Sequence, residues 1–200
     1  VIAIEREAEH ISSVNTDNYM GALQATSLLI RDKCDILIHI NVNVNKSAPA
    51  YDRIWAFQAT WEEYPVPYDI DLSVKGASYH ELLDVIREIF NKIESKYPDQ
   101  KKGIFLANDT YANMFLNLIF QKYGTFPSTY EIVGFDNSPI ASEAILPITT
   151  IGQQIDVIAK TAMDLLVQQM EEQKKRVPKP LGEPIHKQIT PILIRRNTTE

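Results

Sequence analysis

Two stretches decide the fold of this chain: Phe105-Leu106-Ala107-Asn108-Asp109 and Ile132-Val133-Gly134-Phe135-Asp136-Asn137. Each is an apolar run that stops abruptly at an amide or a carboxylate. In an open parallel sheet, polar residues just past the carboxyl ends of the strands face the crevice where ligands bind. The two stretches therefore predict a pocket lined by Asn108, Asp109 and Asp136, suited to gripping a small polar molecule.

Strand and helix patterns alternate along the chain, which predicts βαβ units and a mainly parallel sheet. Strand patterns cover residues 1–4, 36–40, 68–74, 104–107, 131–135 and 186–194. The helices between them carry local stop and start signals. Ser78 and Glu81 form a capping box, and Gly124 suits the position just after the helix predicted at 109–123.

Composition and charge narrow the classes of function. The chain has 200 residues, enough for one large domain or two small lobes, and its net charge of −6 argues against binding nucleic acid through bulk electrostatics. No run approaches the roughly 18 apolar residues of a membrane helix, and no signal-peptide pattern opens the chain. The single cysteine, Cys34, rules out an internal disulfide and predicts a buried thiol in a reducing, cytoplasmic setting. Because the opening strand has no earlier partner, we expect a fragment of a longer protein.

Further candidate ligand contacts are aromatic and cationic. Arg53 lies near the start of the helix that follows the strand at 36–40, and its planar guanidinium can bind two hydroxyls or a carboxylate. Trp55, Phe57 and Tyr111 are candidates for stacking on a sugar ring, although aromatic side chains are more often part of a core.

The helix predicted at 109–123 is apolar on two sides. Ala112, Phe115, Leu116, Ile119 and Tyr123 form a core face, whereas Tyr111, Met114 and Leu118 form a second face at helical spacing. A helix that packs on a sheet needs only one apolar stripe. The second stripe predicts a subunit interface. The alternative is that a loop of the same chain covers it.

Catalytic and metal-binding patterns are not visible in the sequence. The four histidines show no metal-ligand spacing, and there is no nucleophile elbow, P-loop or dinucleotide fingerprint. His39, inside a predicted strand, is interpreted as a hydrogen-bonded core residue. We therefore expect no metal, no cofactor and no enzymatic activity.

A set of motifs together resembles the effector-binding domain of the lactose-repressor-like (LacI/GalR) transcription regulators. The motifs occur in the family's order over nearly the whole chain: Val1–Arg6, Val14–Asn18 with Gly21, Arg53–Phe57, Leu106–Ala112, Val133–Asn137, Leu146–Gln154 and Ile192–Thr199. Four features depart from the family pattern. Asp32-Lys33-Cys34-Asp35 replaces the usual "L-G-H" turn, and the stretch Asn41–Asn45 lacks the usual Gly after its strand. Ala56 replaces the usual Gly, and Glu5 stands where Asp is common.

The resemblance implies the two-lobed fold of periplasmic binding proteins of type I, with three crossovers and the effector between the lobes. It places 1–33 plus 152–179 in a partial first lobe and 34–151 plus 180–200 in the second. The helix-turn-helix headpiece and the first βα units of the first lobe would be absent. The family's ligand contacts carry over to Arg53, Asn108, Asp136 and Gln153.

The function implied by the resemblance is that of a repressor's sensor domain. A small effector, a sugar or sugar derivative, would bind in the cleft and reorient the lobes of a cytoplasmic homodimer without membrane contact. Operator DNA would be bound only through the missing headpiece. An extracytoplasmic sugar-binding protein of a transporter is the alternative, and a sugar-modifying enzyme is a third class; the Thr149-Thr150 crossover and the Arg195-Arg196 tail favour the regulator.

Overall fold

Strands and helices alternate through the computed structural model, which describes residues 1–6, 9–44, 48, 50–76, 78–174, 177 and 182–200, apart from the side chains of residues 61 and 62. The elements in chain order are β1 Ile2–Ile4, β2 Ser12–Thr16, α1 Asn18–Arg31, β3 Ile36–Val42, α2 Tyr51–Glu63, β4 Tyr68–Val74, α3 Tyr79–Lys96, β5 Lys102–Leu106, α4 Asp109–Tyr123, β6 Tyr130–Asp136, α5 Pro139–Glu143, β7 Thr149–Gly152, α6 Ile155–Gln173, β8 His186–Ile189 and β9 Ile192–Ile194.

The strands form two sheets. The smaller sheet has the order β1-β2-β8 and is parallel throughout. The larger sheet has the order β4-β3-β5-β6-β7-β9 and is parallel except for β9, which runs antiparallel to β7. The chain passes between the sheets three times, from β2 to α1, from β7 to α6 and from β8 to β9. The predicted α/β architecture with mainly parallel sheets is confirmed.

Helices cover both faces of the larger sheet, as parallel strands require. The apolar sides of α1 and α2 pack on one face, around Phe57, Phe105 and Phe135. Helices α3, α4 and α5 pack on the other face. Helix α6 covers the smaller sheet, where it buries Val14. Within the described residues, no helix is long and apolar enough to span a bilayer.

The predicted lobe boundaries are wrong at two elements. Helix α1, expected in the first lobe, packs on the larger sheet, because Gly21 lets it approach closely: a Cβ at Gly21 would lie 2.8 Å from the Phe135 ring. Strand β8, expected in the second lobe, pairs with β2 in the smaller sheet. The predicted single strand at 186–194 is interrupted at Pro191, which cannot donate to a ladder. The predicted boundary at 179/180 lies outside the described residues.

The second apolar face of α4 is covered by the chain itself. Met114 and Leu118 are only 1% and 4% exposed and belong to the core formed with α3 and α5. Tyr111 is half-buried and packs against the same core. The prediction of a dimer interface is therefore wrong for Met114 and Leu118, because neither offers surface to a second subunit.

Candidate functional site

Arg53 and Asp136 come together at the carboxyl edge of the larger sheet. Arg53 lies in the first turn of α2, and its guanidinium carbon is 3.6 Å from the centre of the Phe135 ring. Asp136 directly follows Phe135 at the end of β6, and its negative charge favours the charged form of Arg53. The structure thus places two of the sequence-predicted ligand residues within electrostatic reach of each other, at the edge of the sheet where ligands bind in open sheets.

The chain holds the Arg53 guanidinium in a fixed orientation. Nε donates to Oδ1 of Asn18 at 2.7 Å, and Nη1 donates to the carbonyl oxygen of Ala107 at 2.6 Å. Burial lowers the pKa of Arg53 to about 10, while Asp136 and Glu5 oppose this shift. Arg53 therefore stays charged at neutral pH and is oriented before any ligand arrives.

Asp136 has an unusual backbone conformation. Its φ is +103°, and Asn137 follows with a φ of +54°. Non-glycine residues rarely adopt positive φ, and such strain concentrates at functional sites. Gln153 donates from Nε2 to Oδ1 of Asp136 at 2.7 Å. Burial raises the pKa of Asp136, while the positive charge of Arg53 opposes that rise.

Gln153 and Asp136 line a cavity of about 510 Å³ beside the passage from β7 to α6. The start of α6 and the side of β9, including Asp156 and Ile192, complete its wall. This volume is within the usual range for small-molecule pockets. Arg53 and Asn108 are not among the residues that line this cavity, so the structure joins only two of the four predicted contacts in one pocket.

Asn108 and Asp109 have structural roles at the start of α4. Oδ1 of Asn108 accepts from the backbone N–H of Tyr111 at 2.9 Å and caps the helix. Asp109 is 1% exposed and accepts from Thr150 Oγ1 at 2.6 Å and from the Ser138 N–H at 2.7 Å. The prediction that Asp109 lines the pocket is wrong, because its carboxylate holds the β6–α5 turn and β7 together. Contact between Asn108 and a ligand stays a prediction.

Phe57, one of the predicted stacking residues, is part of the core. It is 1% exposed and lies between His39 and Tyr68, with ring centroids 5.3 and 6.0 Å away. That prediction is wrong, because no ligand can reach the ring. Trp55 is 55% exposed and packs against Tyr19 at 4.9 Å, so stacking by Trp55 stays a prediction.

His39 is a buried core residue, as predicted. Its Nδ1 lies 2.9 Å from the Phe105 carbonyl oxygen, and its Nε2 lies 3.2 Å from the amide nitrogen of Asn41. Burial lowers the pKa of His39 to about 4, so the ring is neutral at pH 7. In the described part of the chain, no group of three or more His, Cys, Asp or Glu side chains is placed to hold a metal ion.

Glu5 and Asn18 also act on Arg53, although neither was predicted as a ligand contact. Oε1 of Glu5 accepts from the N–H and the hydroxyl of Thr16, at 2.6 and 2.7 Å, and the Glu5 charge acts on both Arg53 and Asp136. Like Asp136, Glu5 has a positive φ, of +53°. Glu5 and Asn18 each lie in a family-like motif, which was a usable signal for both residues. The Asn18–Arg53 bond itself joins residues 35 apart in the chain, so no local pattern indicates it.

Comparison with known proteins agrees with this architecture. The chain is 27% identical over 199 residues to the ribose operon repressor of Halalkalibacterium halodurans, covering 99% of this chain and 56% of the repressor. It is 28% identical over 177 residues to the sucrose operon repressor of Streptococcus mutans, covering 86% of this chain and 51% of that protein. The chain thus spans about half the length of the curated relatives it matches.

A solved LacI family transcriptional regulator from Enterococcus faecium, with bound ribose, superposes with a TM-score of 0.78 at 19% identity, covering 99% of this chain and 69% of that one. At this identity the match establishes the fold alone. Residues 29–199 match the periplasmic binding protein-like domain, which is most of the chain. The chain belongs to the periplasmic binding protein-like domain family.

Proposed function

We propose that this chain is the effector-binding domain of a transcriptional repressor and that its effector is a small sugar. The observation that carries the proposal is the position of Arg53 at the edge of the larger sheet, where it stacks on the Phe135 ring and feels the charge of the neighbouring Asp136. A sugar hydroxyl both donates and accepts hydrogen bonds. A carboxylate beside a fixed guanidinium offers both partners within one small region.

The two sheets, treated as lobes, give the site a route to allostery. Glu5 follows β1 of the smaller sheet, and Gln153 lies at the passage from β7 to α6. A ligand that contacts these residues together with Asp136 stabilises one arrangement of the lobes over another. A coupling free energy of about 1–3 kcal/mol is enough for regulation, and it must come from the ligand's differential affinity for the two arrangements.

The relatives supply the regulatory part of the proposal. Their names describe repressors of ribose and sucrose operons, and this chain covers about half of each. The net charge of −6 leaves DNA binding to another part of the protein. We include in the proposal a cytoplasmic homodimer that has no catalytic activity and needs no cofactor.

Titration calorimetry on the whole protein that contains this chain tests the proposal, with D-ribose, sucrose, cellobiose and D-fructose as probes. We expect one of these sugars to bind and to change the affinity for operator DNA. Arg53→Ala and Asp136→Asn should each weaken sugar binding by about tenfold or more, since each removes a charged hydrogen-bond partner.

Matched controls separate this effect from general damage. Arg87→Ala and Asp69→Asn remove the same charges at exposed or half-exposed ion pairs, with Asp84 and Lys96 respectively. Both control variants should bind sugar like the parent protein. Unchanged affinity in both Arg53→Ala and Asp136→Asn would refute the site.

A further inference from the structure

The turn after β6 carries Asp136 and continues in an unusual backbone conformation. Asp136 and Asn137 have φ values of +103° and +54°, and Ser138 follows in an extended conformation before α5. Residues other than glycine hold a positive φ only where surrounding contacts fix them. The placement of the Asp136 carboxylate therefore depends on the groups that hold the next two residues.

Arg196, in the tail that follows β9, holds the first of these residues. Its Nη2 donates to Oδ1 of Asn137 at 2.7 Å, and its Nη1 donates to the carbonyl oxygen of Ile148 at 2.8 Å. Its backbone N–H donates to Oγ1 of Thr149 at 2.9 Å. Because a guanidinium is planar and rigid, these bonds fix Asn137 relative to the start of β7.

Asp109 holds the second residue of the turn. Its Oδ2 accepts from the backbone N–H and the hydroxyl of Ser138, at 2.7 and 3.2 Å. Its Oδ1 accepts from Oγ1 of Thr150 at 2.6 Å, and the side chain is buried. The turn is therefore held from two sides, by Asp109 in the core and by Arg196 from the tail.

Other bonds dock the tail against β6 and β7. Oγ1 of the fully buried Thr198 donates to the Ile132 carbonyl oxygen at 2.7 Å and accepts from the Thr149 N–H at 2.9 Å. The Ile132 N–H donates to the Thr198 carbonyl oxygen at 2.9 Å. Arg196 thus reaches the turn from a segment that the sheet itself holds in place.

We propose that Arg196 is a positioning residue for the ligand site: it holds Asn137 at positive φ and thereby aims the carboxylate of Asp136 into the cavity. Asp136, Asn137 and Gln153 line that cavity, whereas Arg196 does not, so Arg196 acts through the turn. The inference rests on the proposed function, since it assigns a role in ligand binding. It gives the tail motif Ile192–Thr199 a role beyond adding β9 to the sheet.

A measurement without ligand tests the positioning in the whole protein. The side-chain amide of Gln153 donates to Asp136, and heteronuclear NMR follows its signals. This bond cannot form in Asp136→Ala, which therefore provides the signals of the free amide. Arg196→Ala should shift the Gln153 signals toward those of Asp136→Ala. Gln153 signals that stay at their parent positions in Arg196→Ala would overturn the inference.

Thr198→Val is the matched control, because it removes two hydrogen bonds of the same tail and leaves those of Arg196 in place. It should lower the stability to urea and leave the Gln153 signals unchanged. An equal shift of the Gln153 signals in both variants would show that the tail acts only through general stability, and would overturn the inference.

Sugar affinity is the second readout, measured by titration calorimetry with D-ribose, sucrose, cellobiose and D-fructose. Arg196→Ala should weaken binding by about three- to tenfold, and by less than Asp136→Ala, because the carboxylate is displaced rather than removed. In an Asn137→Gly background, Arg196→Ala should change affinity by less than about twofold, since its partner is gone and glycine adopts positive φ unaided. An undiminished loss in that background would overturn the inference.

Failure of the inference is distinguishable from failure of the proposed function. If no sugar binds, the proposed function fails, and the Gln153 signals alone decide whether Arg196 positions Asp136. If a sugar binds the parent protein and Arg196→Ala equally well, the inference fails and the proposed function stands.

Discussion

Oδ1 of Asn18 accepts the hydrogen bond from Nε of Arg53 at 2.7 Å, and the Nδ2 of the same amide donates to the Thr16 carbonyl oxygen at 3.1 Å. Thr16 ends β2 in the smaller sheet, and Arg53 lies in α2 beside the larger sheet. One buried amide thus connects the first passage between the sheets to the guanidinium at the site. Asn18 is a positioning residue, since it acts on a ligand through Arg53.

Replacing Asn18 should weaken ligand binding more than it weakens folding. In Asn18→Ala, Arg53 loses a charged hydrogen bond worth about 1.5–3 kcal/mol and becomes mobile, so sugar affinity should fall by about tenfold or more. Asn18→Asp keeps the acceptor and should retain affinity within about threefold. Titration calorimetry provides the affinities and urea unfolding the stabilities.

Thr26→Val is the matched control for Asn18→Ala, because it removes a buried hydrogen bond, from Thr26 Oγ1 to the Ala22 carbonyl, in the same helix. It should lower stability without lowering affinity. An equal loss of affinity in Thr26→Val would show that α1 acts only through general stability.

The strained backbone at Asp136 predicts that glycine there raises stability relative to other substitutions while sugar binding is lost. Asp136→Gly and Asp136→Ala both remove the carboxylate and the bond from Gln153, and both should lose about tenfold or more in sugar affinity. Gly adopts the φ of +103° without steric cost, so Asp136→Gly should unfold at higher urea than Asp136→Ala, by a difference of about 1–2 kcal/mol. Equal stability of the two variants would show that the backbone at Asp136 is not strained.

Close packing at Gly134 predicts a large loss of stability. A Cβ at this position would overlap Oδ1 of Asp109, a buried carboxylate that holds Thr150 and Ser138. Gly134→Ala should therefore destabilise the protein by about 2–4 kcal/mol in urea unfolding, through overpacking and loss of these bonds. Gly124→Ala, where a Cβ meets open space but φ is +71°, should cost only about 1 kcal/mol. A smaller loss in Gly134→Ala than in Gly124→Ala would contradict the packing described for Asp109.

Local signals predicted much of the fold. Gly124 has the left-handed φ expected after a helix, Ser78 accepts from the Glu81 N–H, and the apolar runs before Asn108 and Asp136 are buried strands of a parallel sheet. Each of these follows from residues within a few positions of one another. Sequence patterns capture that range well, because steric and capping preferences are local.

The missed features depend on partners far along the chain. Strand β2, Ser12–Thr16, was not predicted because it is mostly polar, yet every residue is buried: Gln169 bonds Ser12 and His186 bonds Ser13. Met114 and Leu118 looked like an interface because periodicity cannot show that α3 and α5 would cover them. At the site, Arg53 and Asp136 were identified, but the groups that fix Arg53 lie 35 and 54 residues away from it.

Buried Glu131 predicts a loss of stability as pH rises, which is the reverse of the usual effect of a carboxylate. Glu131 is 2% exposed, and burial raises its pKa to about 7, with Lys101 opposing and Asp32 adding to the shift. The unfolded chain has the ordinary pKa of 4.5, so the folded state binds more protons between these values. This residue therefore makes the protein less stable as pH rises from about 4.5 to about 7.

Glu131→Gln should remove that loss. Urea unfolding at intervals from pH 5 to pH 8 should show a smaller fall in stability for the variant, because glutamine carries no charge to bury. Glu94→Gln is the control. Burial raises the pKa of the Glu94 carboxylate, but bonds from Lys122, Tyr123 and Tyr130 outweigh burial and leave the pKa below its ordinary value of 4.5, so ionised Glu94 favours folding above that value. That variant should lose stability by a similar amount at every pH tested. Parallel pH profiles for the parent protein and Glu131→Gln would show that Glu131 is ionised at pH 5 and that Lys101 outweighs its burial.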